Sequence, residues 1–331
     1  MSTSITIANA RQLNPADVNR DAVFDKTEMV DELFPRIPFL PVAGETWQVP
    51  RIDIAEGLGV FNARGVMWPA PGTSTPADSI DTVGTSAFDP DIFTAGKDQF
   101  TVRRMVGQVD LNQFTDEILS AVNPQWQLQV GAKLKAMQYE WSDAFINGTG
   151  GGTNQFLGLD THVTTLPATQ SLTSTVVAGA FSTANAKTFM NELDIVMHRV
   201  RGFPDYILMN DEMIRFFLRS CRELGYAPEV VQDPVLNVMR PARYGVPIYR
   251  SQFIKTTTSK QSIFIGRLGE GRGLIGIYPS KLTAPGIKIT QIDPDHVKDF
   301  ISIRVSWDSG IALYNEGCIA RLKDVGLPTE P

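Results

Sequence analysis

The sequence predicts an α+β fold, and three stretches of the chain indicate it. A long amphipathic helix is expected over residues 124–147, a compact mixture of shorter helices and strands begins near residue 185, and alternating strands close the chain. A helix with one apolar stripe needs a surface to cover it, and an alternating strand has one apolar face to cover. We therefore expect the long helix to pack on a sheet of C-terminal strands.

Apolar residues recur every three or four positions in the long helix, which places them on one face. They are Trp126, Val130, Leu134, Met137, Trp141, Ala144 and Phe145. Asn123 and Pro124 suit the start of a helix, while Asn147 and Gly148 tolerate the left-handed conformation that often ends one. The stripe alone is equally typical of a core helix in any α+β domain.

Residues 1–50 carry little regular pattern and end in a proline-studded apolar run that is neither a continuous helix nor a central strand. The apolar side chains of this segment are Phe34, Ile37, Phe39, Leu40 and Trp47. Because exposing so much apolar surface to water is unfavourable, we expect the segment to lie on its own subunit or on a neighbour.

Residues 57–97 are rich in Gly, Pro, Ser, Thr and Asp, and the stretch is far longer than an ordinary loop. Arg64 is the only basic residue between Arg51 and Lys97. The aspartates of the stretch are Asp78, Asp81, Asp89 and Asp91. A disordered insertion is one interpretation. The apolar side chains that favour an excursion ordered on a partner instead are Val66, Met67, Trp68 and Phe88.

The other elements are expected from their periodicity. Residues 99–108 are predicted to form one strand, and residues 111–122 a short helix. In the string FISIRVSW, apolar residues alternate with polar ones, which predicts a strand with one dry face. The strings GIKITQID, GIALYN and CIARLKDV are expected to complete an antiparallel set around it.

Composition and motifs argue against several classes of function. The formal net charge is −6 and no run of Lys and Arg occurs, so a protein that grips nucleic acid through its phosphates is not indicated. Cys221 and Cys318 lie far apart in apolar stretches and are expected to be buried free thiols. The three histidines lack metal-ligand spacing, and no secretory signal or membrane span is predicted.

One motif imitates a nucleotide-binding site. Gly271, Gly273 and Gly276 match G-x-G-x-x-G, and Asp293 follows at about the expected distance. The fingerprint also needs a helix that starts at the glycines, whereas the following residues read as strand and turn. We interpret the motif as a tight hairpin and predict no catalytic, cofactor-binding or metal site.

The order of these parts resembles the major capsid proteins of tailed bacterial viruses with the Hong Kong 97 fold. The most similar strings are FINGTGGGTNQFLGL at the end of the long helix, YILMNDEM and YGVPIYRSQF. The resemblance implies four parts. They are an N-terminal arm at 1–50, an extended loop with flanking strands at 51–110, a peripheral domain at 111–184 and 286–331 with the spine helix 124–147, and a compact axial domain at 185–285.

The resemblance also implies a function. The chain would be a structural protein and not an enzyme, assembling with itself as pentamers and hexamers into an icosahedral shell that encloses DNA without sequence-specific binding. It would belong to the virion, be assembled in the host cytoplasm, and work with separate scaffolding, portal and possibly decoration proteins. The candidate subunit contacts are Phe34, Phe39, Trp47, Arg64, Met67, Trp68, Asp78, Asp81 and Phe88.

Some members of this family bond a lysine of the extended loop covalently to a neighbouring subunit. Here the loop has no lysine before Lys97 at its base, so we expect non-covalent assembly. Two alternatives remain. One is a shell of the encapsulin type, which is similar in fold, holds protein cargo, and typically has a shorter loop and a more helical N-terminus. The other is a soluble enzyme whose catalytic group is assembled from distant residues.

Overall fold

In a computed structural model, the structure describes residues 31–53, 94–112, 125–150, 155–233, 237–280, 287–292 and 300–328. The helices are α1 (Gln125–Asn147), α2 (Leu159–Thr165), α3 (Thr183–Arg199) and α4 (Asp211–Glu223). The strands are β1 (Phe39–Val42), β2 (Thr46–Asp53), β3 (Thr94–Thr101), β4 (Arg103–Asn112), β5 (Ser171–Thr173), β6 (Tyr206–Met209), β7 (Glu229–Gln232), β8 (Met239–Arg243), β9 (Val246–Arg250), β10 (Lys260–Gly266), β11 (Leu274–Pro279), β12 (Lys288–Ile292), β13 (Phe300–Leu313) and β14 (Ile319–Gly326).

The chain divides into two compact units, Met1–Glu45 with Thr101–Pro331, and Thr46–Phe100. In the larger unit, a five-stranded sheet is built around β13, which pairs with β4, β11 and β12, while β1 pairs with β11. A seven-stranded sheet has the order β5-β14-β10-β6-β9-β8-β7. In the smaller unit, β2 pairs with β3.

The long helix covers the five-stranded sheet, as its stripe predicted. Trp141 is fully buried, stacks on Trp307 of β13 at 5.6 Å between ring centroids, and donates from Nε1 to Ser309 Oγ at 2.8 Å. On β13, Ile303, Val305 and Trp307 are buried while Arg304 is exposed, which confirms the predicted dry and wet faces. The covering helix therefore follows from two matching apolar patterns.

The end of α1 is closed by a close approach of two backbone segments. Asn147 and Gly148 tolerate the left-handed conformation, but neither adopts it, whereas Gly150 does, with φ +76°. Gly148 is required for space, because a Cβ there would lie 2.3 Å from the carbonyl oxygen of Phe156. Gly158 N donates to Gly148 O at 2.8 Å, which holds the two segments together.

The seven-stranded sheet has its own core beneath α3 and α4. The large buried side chains that form this core include Phe189 and Leu193 from α3, Met213 and Phe217 from α4, and Ile207, Ile263, Ile265 and Leu322 from the strands. The predicted helices and strands of the middle portion are confirmed here. Cys221 and Cys318 are buried free thiols, as expected.

Three sequence predictions about connections are wrong. Residues 99–108 are not one strand, because the chain breaks at Val102 between β3 and β4. The glycine motif does not form a hairpin, since β10 before it and β11 after it belong to different sheets. The string CIARLKDV, which lies in β14 except for Cys318, does not complete the antiparallel set around β13, because β14 pairs with β10 and β5.

Local patterns cannot reveal such pairings, which join strands far apart in the sequence. The string GIALYN continues β13 for the most part and pairs with β11. Of the predicted helix at 111–122, Leu111 and Asn112 belong instead to β4, and the rest lies outside the described residues. The four-part division of the chain stays a prediction. The division assigned β5 and β14 to the peripheral domain, but both strands pair within the sheet of the proposed axial domain.

Candidate assembly surfaces

The segment before β1 packs on the spine helix of its own subunit. The ring of Phe34 lies edge-on to Trp141 at 4.8 Å and to Trp307 at 5.8 Å. Phe39 in β1 lies 6.1 Å from Trp141 and crosses Gly276 of β11, where a Cβ would lie 2.4 Å from its ring. Both rings are only partly buried by these contacts. Their role as contacts between subunits stays a prediction.

A buried group of charges joins the same segment to the edge of the seven-stranded sheet. Asp233, just after β7, accepts hydrogen bonds from Arg36 and from Arg240 of β8. Arg240 also donates to Glu32. No local pattern in the sequence predicted this cluster, because its partners are up to 208 positions apart. The only local signal was Arg36, a single charge within an apolar run.

The pKa values in this segment are shifted by burial. Burial raises the pKa of the Asp31 carboxyl, although a hydrogen bond from the backbone N–H of Leu33 acts in the opposite direction. Burial likewise lowers the pKa of the Arg36 guanidinium. These directions show that the segment lies in a region that solvates charge poorly.

Strands β2 and β3 pair with each other as a ribbon, and in the sequence they lie on either side of residues 54–93. Trp47 and Phe100 face each other across the ribbon with ring centroids 6.4 Å apart, and Phe100 and Val49 are buried. Trp47 is thus partly covered within its own unit, and its predicted contact with a neighbour is untested. The remaining predicted contacts, Arg64, Met67, Trp68, Asp78, Asp81 and Phe88, lie outside the described residues.

In the larger unit, ion pairs surround the points where the chain leaves for the ribbon and returns. Val102 N donates to Glu45 O at 2.8 Å, and the guanidinium of Arg103 lies 3.5 Å from the Glu45 carboxylate. Arg104 makes a two-pronged pair with Asp308 of β13, at 2.7 and 2.8 Å. These groups line a cleft of about 760 Å³ that also includes Pro279. The pairs are partly exposed, so they add little stability and mainly orient the strands.

The hairpin formed by β7 and β8 presents an apolar surface at the edge of its sheet. Val230, Val238 and Met239 are 57%, 50% and 68% exposed. On the other sheet, Ile289 of strand β12 is also exposed. Exposed apolar groups at sheet edges are typical of protein contact surfaces.

The described residues offer little that resembles a catalytic centre. Within them, no three His, Cys, Asp or Glu side chains are grouped as metal ligands would be. Burial raises the pKa values of the Tyr206 hydroxyl and of the Cys221 thiol, which keeps both groups protonated and unreactive. Among the described helices, none is long and apolar enough to cross a membrane.

Comparison with solved structures identifies the fold. The chain is similar to a SrpI encapsulin from Synechococcus elongatus, with a TM-score of 0.70, 17% identity and 99% of each chain covered. It is also similar to the capsid of a native GTA particle, with a TM-score of 0.62, 13% identity, and 96% of this chain and 97% of that chain covered. The capsid of Cyanophage P-SCSP1u is similar with a TM-score of 0.56 and 12% identity, and the match covers 94% of this chain and 91% of that chain.

No protein-family model matches the sequence, and no curated protein matches it either. The structural matches cover nearly all of this chain and nearly all of each matched chain, so they concern the fold as a whole. The chain has the Hong Kong 97-type capsid fold, an α+β fold, as the sequence resemblance implied. At such low identities the match concerns the fold alone.

Proposed function

We propose that this protein is the major capsid protein of a tailed bacterial virus or of a particle built like one. In this role it assembles with itself, as pentamers and hexamers, into an icosahedral shell that encloses DNA. The observation that carries the proposal is the full-length similarity to capsids of a GTA particle and of a cyanophage. The protein is then a structural component and not an enzyme.

The physical chemistry of the chain agrees with this role. A closed shell needs heterologous contacts that close into rings, and many weak contacts acting together make assembly both stable and correctable. The chain divides into two compact units, and the smaller one, Thr46–Phe100, is our candidate for contacts with a neighbouring subunit. The exposed apolar residues of β7 and β8 supply a second contact surface.

The negative net charge agrees with enclosure of DNA without tight binding, since the chain carries no basic stripe that would hold phosphates. Further partners in the proposal are a separate scaffolding protein, a portal protein and decoration proteins. The proposed location is the virion, with assembly in the host cytoplasm. These partners and this location follow from the proposed capsid function, and they would be wrong if that function were wrong.

A protein-filled nanocompartment is the second candidate function. It is favoured by the TM-score of 0.70 to the SrpI encapsulin, which exceeds the 0.62 to the GTA capsid. The excursion at 57–97 favours the capsid, since the encapsulin-type shells that the sequence resembles typically have a shorter loop. An enzyme is the least supported candidate.

Two measurements test the proposal. Negative-stain electron microscopy of the expressed protein should show closed shells, whereas a monomeric preparation under all assembly conditions would contradict both shell functions. Native particles should then be treated with nuclease and their contents extracted. Protected DNA supports the capsid, and a protein cargo without DNA supports the nanocompartment.

A further inference from the structure

Residues 31–37 contact two different parts of the larger unit, one on each side of the segment. On one side, Phe34 packs edge-on against Trp141 and Trp307. The Phe34 contacts fix the segment to the aromatic core between α1 and β13, and Leu33 and Ile37 of the segment are also buried. Apolar contacts of this kind anchor a segment firmly because every displacement exposes apolar surface.

On the other side, the segment contacts the hairpin of β7 and β8 through charges. Arg36 and Arg240 both donate to Asp233, and Arg240 also donates to Glu32, so two guanidiniums and two carboxylates alternate. The side chains of Arg36, Arg240 and Asp233 are 8%, 8% and 0% exposed. The net charge of the group is zero.

Strand β9 completes the attachment. Glu32 N donates to Arg250 O at 3.0 Å, and Arg250 N donates to the Glu32 carboxylate at 2.9 Å. The guanidinium of Arg36 lies over the ring of Tyr249, 4.5 Å from its centroid. The segment is therefore attached by backbone hydrogen bonds, by a cation–π contact and by ion pairs.

The geometry of this group restricts where the hairpin can lie. In the described part of the chain, β7 pairs with β8 alone and forms the edge of the sheet. If the hairpin moved away, Asp233 and Arg240 would stay paired with each other, but Asp233 would lose Arg36 and Arg240 would lose Glu32. Leaving a buried charge of the segment without these partners is strongly unfavourable, whereas the fully paired arrangement adds little net stability. Such a group specifies position more than it stabilises the fold.

We propose that residues 31–37 form a conformational strap, which fixes the orientation of the β7–β8 hairpin relative to the core under α1. The exposed apolar surface at Val230, Val238 and Met239 is then presented in one orientation only while the strap is in place. This inference concerns the single subunit and does not depend on the proposed function.

The test is amide hydrogen exchange of the unassembled, full-length subunit, carrying Arg36→Met or Glu32→Gln. Arg36→Met keeps a long unbranched side chain but removes the guanidinium that lies over Tyr249, which leaves Asp233 with the guanidinium of Arg240 alone. Glu32→Gln keeps an oxygen for Arg250 N but removes the charge facing Arg240. We expect amides of β7 and β8 to exchange at least fivefold faster in either variant, while those of β10 and β14 are unchanged.

The matched control is Arg104→Met, which breaks the Arg104–Asp308 pair on the other sheet. It should leave exchange in the hairpin within twofold of the native protein. The strap is overturned if a folded Arg36→Met or Glu32→Gln protein shows less than a fivefold increase in the hairpin. It is also overturned if exchange rises equally in β10 and β14.

Native-state exchange in low denaturant provides a test without any substitution. If the strap holds the hairpin, the amides of Arg36 and Ile37 should open together with those of β7 and β8, at one shared free energy below that of β10 and β14. Separate opening of the strap and the hairpin would overturn the proposal even if neither variant folded.

Discussion

Gly148 follows the last residue of α1, and its missing side chain lets two backbone segments meet. A Cβ at this position would lie 2.3 Å from Phe156 O and 2.5 Å from Ala144 O, and neither atom can move without shifting backbone. The NG pair in the sequence therefore reflects close packing. Asn147 contributes separately, since its Nδ2 donates to Phe253 O at 2.9 Å.

We expect Gly148→Ala to lower the free energy of unfolding by about 1–3 kcal/mol, because it overpacks a rigid backbone contact. The control is Gly131→Ala in the same helix, where a Cβ would meet nothing within 4 Å. That change should be neutral or stabilising by up to about 1 kcal/mol, since alanine favours helices. Urea unfolding of the unassembled subunit measures both. Equal effects of the two substitutions would contradict the close approach.

Asp31 makes stability depend on pH in a direction opposite to that of most carboxylates. Because burial raises its pKa above the ordinary 3.8, the folded state holds the proton more tightly than the unfolded chain does. Its contribution is complete below pH 3.8 and is lost as the pH rises through the raised value. An Asn side chain has no such loss.

Asp31→Asn should therefore become more stable relative to the native protein as the pH rises from about 3 to 7, with the difference levelling off above the raised pKa. The Asn oxygen can still accept from Leu33 N, which donates to Asp31 at 3.2 Å. The measurement is the difference in unfolding free energy between the two proteins across this range. A constant difference, or one that shrinks as the pH rises, would show that burial does not dominate this carboxyl.

At the scale of elements, α1 and β13 form the contact on which the larger unit is built. Trp141 meets Phe34, Phe145, Phe156 and Trp307, and its indole N–H is satisfied by Ser309. A buried indole without a partner for its N–H would lose the stability that its large area supplies. The single hydroxyl of Ser309 thus fixes the register of the helix on the strand.

Ser309→Ala should cost about 1–3 kcal/mol, because it leaves the buried Trp141 N–H unpaired. Ser306→Ala is the matched control on the same strand, since Ser306 lies on the wet face and its hydroxyl makes only a 3.5 Å contact with Lys288 O. The control should stay within about 0.5 kcal/mol of the native protein. Thermal or urea unfolding measures the loss of stability in both variants. An equal loss in the two would show that the hydrogen bond from the Trp141 indole has no special role.

At the scale of the whole molecule, the excursion is expected to act between subunits. Deleting residues 60–95 should leave a folded subunit, because these residues all belong to the smaller compact unit, yet the subunit should form no shells. Circular dichroism and thermal unfolding measure the folding, and electron microscopy measures assembly. Normal shells from the deleted protein would show that the excursion is not needed for assembly.

Assembly is expected to be non-covalent, since the loop offers no lysine before Lys97. Assembled particles boiled in detergent should run as a single band of monomer mass on a denaturing gel. The control is the same sample without boiling, in which larger species can persist. A ladder of multimers that survives boiling would prove covalent links between subunits.

Much of the secondary structure and the fold class could be read from the sequence alone. The apolar stripe from Val130 to Phe145 and the alternation from Ile303 to Trp307 can each be recognised within a short stretch of sequence. In the structure, these two apolar surfaces are buried against each other. Burying apolar surface is favourable for any helix or strand that carries such a pattern. The spacing of the apolar residues is therefore enough to predict the element and its buried face. The order of the parts then indicated the capsid fold.

The tertiary structure alone decided which sheet β14 joins, that the glycine motif connects two sheets, and that Glu32, Arg36, Asp233 and Arg240 meet. Strand pairs and ion pairs join residues far apart in the chain. Judged from its local sequence alone, a strand or a charged residue could pair with many others almost equally well. The choice among them depends on the packing of the whole core, which is not contained in any one stretch of sequence.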